Sequence, residues 1–330
     1  MLQSEAMSNP YDSAYSTTAF DVLTEHFDLG ANLYKFWGSP RSVLRAVLLG
    51  WARAGHPSHL HYAWDLETAP SLDDAILETT RRAVALLDLD GLDRPHLFEP
   101  GCGIGGGVAQ VAAMLPQAKV TGLSLVDKQL EIGRAIARAR ELTNTQFVQG
   151  NYLGTAFPDA LFDGIFAIET LVYTPIAEKP MLCRELFRIL KPGRTFVSFD
   201  GFRLRDPVGE QERRWVQDVL DGWTTPLPPT PAEFQEAARS AGFEVLRVQD
   251  ATRHVRRSAR RISAIATSAL LPLCAMSRVP LLGALVAPLG FRSPRHARRF
   301  VEACRSQLKV FDAGLGGYYV HVFRKPAIPV

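Results

Sequence analysis

Five glycines fall within "LFEPGCGIGGG" (97–107), between an apolar run and the helix-like "VAQVAAML". Glycine weakens a helix by about 1 kcal/mol relative to alanine, so five at a helix entrance mark a backbone that something must approach closely. Glu99 stands immediately upstream. Its charge would repel a pyrophosphate but attract a ligand carrying ammonium and sulfonium groups, the chemistry of S-adenosyl-L-methionine. A second acid, Glu169 in "FDGIFAIETLVY", closes another apolar run, with Tyr173 four residues on. A carboxylate beside an aromatic ring suits proton removal and the stabilisation of positive charge. His59 and His61 are further candidates for moving protons or for donating to a diphosphate, and His61 is the one we carry forward as catalytic.

Such residues act only if strands and helices bring them together. After Arg94 the chain alternates short apolar runs with helical stretches. The runs are 96–100, 119–125, 145–150, 162–169 and 194–201, and the helical candidates include "GVAQVAAML" and "DKQLEIGRAIARAREL". This alternation predicts a parallel, doubly wound α/β sheet covered on both faces, where ligands bind at the carboxyl ends of the strands. A helix and strand over 230–250 and a closing strand over 316–326 complete the expected core. Upstream, "SLDDAILETTRRAVALLDL" has helical spacing, with Ser71 as its predicted cap. The expected organisation is a flexible N-terminus (1–18), a helical cap region (19–90), a cofactor-binding core (91–250), a basic and apolar insert (251–301) and a final piece of the core (302–330).

The net charge of +3 conceals an asymmetry, because residues 251–301 hold ten arginines and no acid. Those arginines bracket "ISAIATSALLPLCAMSRVPLLGALVAPLGF", whose prolines and internal charge argue against a regular membrane span. The insert reads as a lid over a greasy substrate, a surface element resting on anionic lipid, or two buried helices with solvated basic ends. It lacks the aromatic interleaving that stacks bases, so nucleic acid is not an expected partner. The four cysteines are far apart, which indicates neither a zinc site nor a disulfide framework. A cytoplasmic location is expected, with membrane association and homo-oligomerisation left open.

"HLFEPGCGIGG", "VTGLSLVDKQ", "VQGNYLGTAFPDALFDGIFAIETLVY" and "ELFRILKPGRTFVSFDG" resemble, in order, the motifs of class I S-adenosylmethionine-dependent methyltransferases over residues 95–202. The resemblance implies a Rossmann-like fold with a helical N-terminal region and a helical insert before the last strand. It places Glu99, Gly101 and Gly103 around the methionine part of the cofactor. Ser124, Leu125 and Gln129 fall where the ribose is held, and Asn151 and Tyr152 where adenine is read, with Glu169 bordering the cofactor as well. Leu123-Ser124 and Asn151 depart from a pattern that often has acids there.

"SHLHYAWDLETAPSLDDAI", "AIETLVYTP" and "HFDLGANLYKFWG" are similar to segments of the sterol, tocopherol and prenyl-diphosphate C-methyltransferases. Nineteen residues, "SPRSVLRAVLLGWARAGHP", separate the last of these from the first. In that branch Glu169 takes the position of the acidic base, with Tyr173 its neighbour at a carbocation. Tyr34, Phe36, Trp37, Tyr62 and Trp64 are candidate pocket walls, and Arg253, Arg256, Arg257 or Arg260 candidate holders of a diphosphate head. The implied function is methylation of an alkene carbon of an isoprenoid, a prenyl diphosphate or sterol-like lipid, ended by proton loss or cyclisation. Mg2+ is implied only if the acceptor is a diphosphate. O- or N-methylation of a natural product and cyclopropanation of lipid alkenes are the alternatives.

Overall fold

A computed structural model describes residues 59, 61–270 and 294–327. Among them, eight α-helices and seven strands build one sheet in the order β3-β2-β1-β4-β5-β7-β6. The strands are β1 (His96–Pro100), β2 (Lys119–Ser124), β3 (Thr145–Gln149), β4 (Phe162–Ile168), β5 (Leu190–Arg203), β6 (Glu244–Asp250) and β7 (Gly316–Arg324). Neighbouring strands from β3 to β5 pair in parallel, while β7 runs antiparallel between β5 and β6.

Successive residues of the central strands serve opposite faces. Leu97, Val120 and Phe166 pack with Val84, Val108 and Val255 on one side, whereas Phe98, Ile165 and Phe196 pack with Leu182, Leu186 and Phe234 on the other. Burial on both faces explains why these strands read as continuous apolar runs. The covering helices are α1 (Leu72–Ala85), α2 (Gly106–Met114), α3 (Asp127–Ala139), α4 (Lys179–Ile189), α5 (Gly209–Trp223), α6 (Pro231–Ser240), α7 (Thr252–Ile265) and α8 (Pro294–Asp312).

Ser71 caps α1 as its sequence predicts, accepting from Asp74 N at 3.1 Å. Two helices, α4 and α5, are left unassigned by the reading of the sequence. Strand β5 extends past 194–201 at both ends, because Leu190 pairs with Phe162 and Arg203 with Gly316. Helix α7 continues as a π-helical stretch, Ala266–Leu270. Helix α8 runs through position 301, where a change of unit is expected, and packs on α5 and α7. No described helix is long and apolar enough to cross a membrane.

Candidate active site

The strand order reverses direction between β1 and β4, the crevice where open α/β sheets bind ligands. Both marked acids sit there, Glu99 near the end of β1 and Glu169 just past β4. The two turns touch: a Cβ on Gly101 (φ +64°) would lie 1.8 Å from Thr170 Oγ1. Further along, a Cβ on Gly105 would strike the Phe147 ring at 2.4 Å, and one on Gly107 the Glu99 carboxylate at 2.4 Å. Internal packing therefore requires these three glycines. Gly103 (φ +52°) differs, since an added Cβ would meet nothing within 4 Å. Its bare backbone borders open space beside the turn, and that fits a ligand drawn close to the main chain.

The Glu99 carboxylate lies over the N-terminus of α2 and accepts from Val108 N–H, yet burial still lifts its pKa to about 8. Its Oε2 has no hydrogen-bond partner among the described residues. A buried carboxylate with an unused oxygen suits a cationic ligand group. At the end of β2, Ser124 Oγ donates to Gln129 Oε1 at 2.9 Å and accepts from Val126 N at 3.2 Å. The Leu125 carbonyl accepts from Gln149 Nε2 at 3.2 Å. Asn151 Oδ1 accepts from Leu153 N at 2.9 Å, shaping the turn after β3. These positions rim the carboxyl ends of β2 and β3. Among the described residues no cluster of three or more His, Cys, Asp or Glu forms a metal site.

Glu169 occupies the left-handed region at φ +48°, a conformation costing a non-glycine residue on the order of 1–3 kcal/mol. Its backbone N–H donates to Phe199 O at 2.8 Å, and its Oε1 accepts from Tyr62 N at 2.8 Å. Burial is the main cause that raises its pKa to about 8, with nearby Asp200 adding to the rise. Burial likewise raises the Tyr173 phenol, assisted by the charges of Asp200 and Glu169. Tyr152, near Tyr173, accepts from Thr174 Oγ1 at 3.1 Å, and burial pushes its pKa to about 12. The Tyr318 phenol is pushed well up by burial and then by the Glu169 charge. Four tyrosines thus gather around Glu169 and Asp200, an arrangement of aromatic faces and carboxylates able to hold positive charge.

The turn after Glu169 is held from behind. Asp200 Oδ2 accepts from Val172 N at 2.9 Å, and buried Lys179 Nζ donates to Leu171 O. Sequence reading missed Asp200, Lys179 and Tyr318. Asp200 lies at the carboxyl end of a predicted strand, a signal that could have found it. Tyr318 reaches the same edge only because β7 is antiparallel, pairing Gly201 with Tyr318.

The remaining expected residues divide. Tyr62 belongs to the site: its N–H holds Glu169, and its hydroxyl donates to Gln307 Oε1 at 2.6 Å. His61 Nδ1 lies 3.0 Å from the Tyr62 carbonyl, and burial lowers its pKa to about 4, so it is neutral at physiological pH. Trp64 is 3% exposed, stacked on His254 at 4.5 Å and tilted against Phe199. Arg256 pairs with Asp312 at 2.6 Å on the exposed side of α7, where Arg257 is also exposed. Tyr34, Phe36 and Trp37 lie outside the described residues.

The profile of the methyltransferase domain family matches residues 98–193, the segment carrying both acids. That segment is thus similar to methyltransferase domains, and the sheet order and glycine turn around it have the class I arrangement. Cycloartenol-C-24-methyltransferase 1 of Oryza sativa subsp. japonica is 26% identical over 242 residues, covering 71% of this chain and 62% of the rice protein. The match thus spans less than two thirds of that relative's length. Among solved structures, mycolic acid cyclopropane synthase CmaA1 superposes with a TM-score of 0.72 at 16% identity, covering 93% of this chain and 98% of its own. Geranyl diphosphate C-methyltransferase from Streptomyces coelicolor A3(2) gives 0.63 at 16% identity, covering 90% and 98%. At these identities the likeness to the solved structures is one of fold.

Proposed function

We propose that this protein methylates an alkene carbon of an isoprenoid or related lipid, with Glu169 as the base. The observation that carries the reading is the Glu169 carboxyl, fixed by Tyr62 N–H on a left-handed backbone and set among tyrosines and Asp200. When bound, S-adenosylmethionine supplies an electrophilic methyl group. The π electrons of the alkene would form the new C–C bond as the S–CH3 bond breaks and its electron pair returns to sulfur, leaving a neutral thioether and positive charge on the neighbouring alkene carbon. Tyr173, Tyr318 and the two carboxylates stabilise that charge. Glu169 then accepts a proton from the adjacent carbon, and the C–H electron pair restores the double bond. Glu99 and the bare backbone at Gly103 hold the amino-acid part of the cofactor, while Ser124, Gln129 and Asn151 border its nucleoside. Mg2+ enters only for a diphosphate acceptor.

The names of the rice relative and of the Streptomyces coelicolor enzyme support this reading, one acting on a sterol carbon and the other on geranyl diphosphate. The test is incubation with methyl-labelled cofactor and a panel of sterols, prenyl diphosphates and quinol lipids, followed by location of the label by mass spectrometry. Label on carbon is expected. Label confined to oxygen or nitrogen would overturn the carbocation chemistry.

A further inference from the structure

Helix α7 carries a charge pattern that the fold does not use. Arg253, Arg256, Arg257 and Arg260 follow one another at i, i+3, i+4 and i+7, one face of the helix. All four are exposed. They line a groove of about 420 Å3 whose other walls are Thr252, Phe311 and a single acid, Glu67. Arg256 is neutralised by Asp312 at 2.6 Å, and Arg253 Nε donates to His254 Nε2 at 3.1 Å. Arg257 and Arg260 form no ion pair among the described residues. The first turn of α7 contains no acid, so Arg253 adds positive charge to the positive end of the helix dipole. Asp312 and Glu67 offset part of the repulsion along this face, and the charge left on Arg253, Arg257 and Arg260 suits anions from outside.

The groove does not open onto Glu169. Its Phe311 ring rests 5.9 Å from that of Tyr62, His254 stacks on Trp64, and Ser258 Oγ accepts from Ala63 N at 3.0 Å. A phosphate gripped by the α7 arginines has this layer of described residues between it and Glu169. The four charges also run along roughly 10 Å of helix axis, a row suited to several headgroups side by side rather than to one compact anion. In the sequence they lead directly into the apolar run that begins at Ile262.

We propose that this face of α7 docks the protein on an anionic phospholipid surface, its guanidinium forks holding headgroup phosphates. Docking places the enzyme where apolar acceptors dissolve. The inference does not depend on the acceptor chemistry, since it is read without turnover.

The test is sedimentation of the full chain with vesicles of mixed phosphatidylglycerol and phosphatidylcholine, against phosphatidylcholine alone. Binding is expected only to the mixed vesicles, and it should weaken as salt is raised. R257E/R260E should bind about tenfold more weakly or worse, and R257Q/R260Q should fall between it and the wild type, while both variants melt as the wild type does. Equal sedimentation of wild type and R257E/R260E, or none by the wild type, overturns the proposal. So does tight calorimetric binding of inorganic pyrophosphate that both variants lose, without sedimentation on either vesicle, which would assign the groove to a soluble phosphate.

Discussion

Glu169 must be ionised to take a proton, yet burial holds its pKa near 8. For the free enzyme, kcat/KM for the acceptor should therefore climb with pH and level off above about 8. Glu169→Gln should cut kcat by a factor on the order of 100–10,000, abolish that rise and leave cofactor binding intact by calorimetry. The glycine turn gives a contrasting pair. At Gly103 a methyl has room, so Gly103→Ala should cost only the left-handed backbone strain of about 1–2 kcal/mol while weakening cofactor affinity several-fold. Gly101→Ala drives a methyl into Thr170 and adds an overpacking cost of about 1–3 kcal/mol, which appears as a lowered thermal midpoint without any ligand. Sequence reading singled out both acids and the glycine turn as candidates. It could not apportion the glycines, because the partners that exclude side chains at 101, 105 and 107 come from Thr170, Phe147 and Glu99, in three different elements.

Elements hold those residues in place, above all the short turn after β4. Asp200 takes the Val172 N–H, while Lys179, whose pKa burial lowers to about 8, takes the Leu171 carbonyl. Lys179→Met should strand that carbonyl and leave Asp200 without its nearest cation, costing about 1–3 kcal/mol in denaturant unfolding. Activity should fall further than stability alone explains, because Tyr173 rides on the same turn. The central strands were legible because both of their faces are buried, which turns each into an unbroken apolar run. Helices α4 and α5 were not. Helix α5 does carry an apolar stripe, Trp215, Val216, Val219, Leu220 and Trp223, but it fully buries only Gly222 and packs on α8, far away in the chain. The ends of β5 also come from distant pairing, with Phe162 and with Gly316.

For the whole molecule, buried ionisable groups predict how stability follows pH. Glu99 and Glu169 stand near 8 against an ordinary 4.5, so the folded protein binds more protons than the unfolded chain between those values. Their contribution is complete below about 4.5 and is lost as pH rises through 8. His61, His96 and His321 act oppositely: burial drops them from 6.5 to about 4, so stability grows with pH across that interval. The two trends offset each other below about 6.5, leaving a decline between about 6.5 and 8. Thermal midpoints should fall across that window, and the double variant E99Q/E169Q should flatten the profile.

The sheet itself has a consequence for synthesis. Among the described strands β6 hydrogen-bonds only to β7, which reaches its place after residues 251–315 have been translated. On the ribosome, β6 must therefore wait unpaired while the arginine-rich and apolar stretch emerges, a vulnerable interval in which a holdase chaperone has an exposed strand to shield.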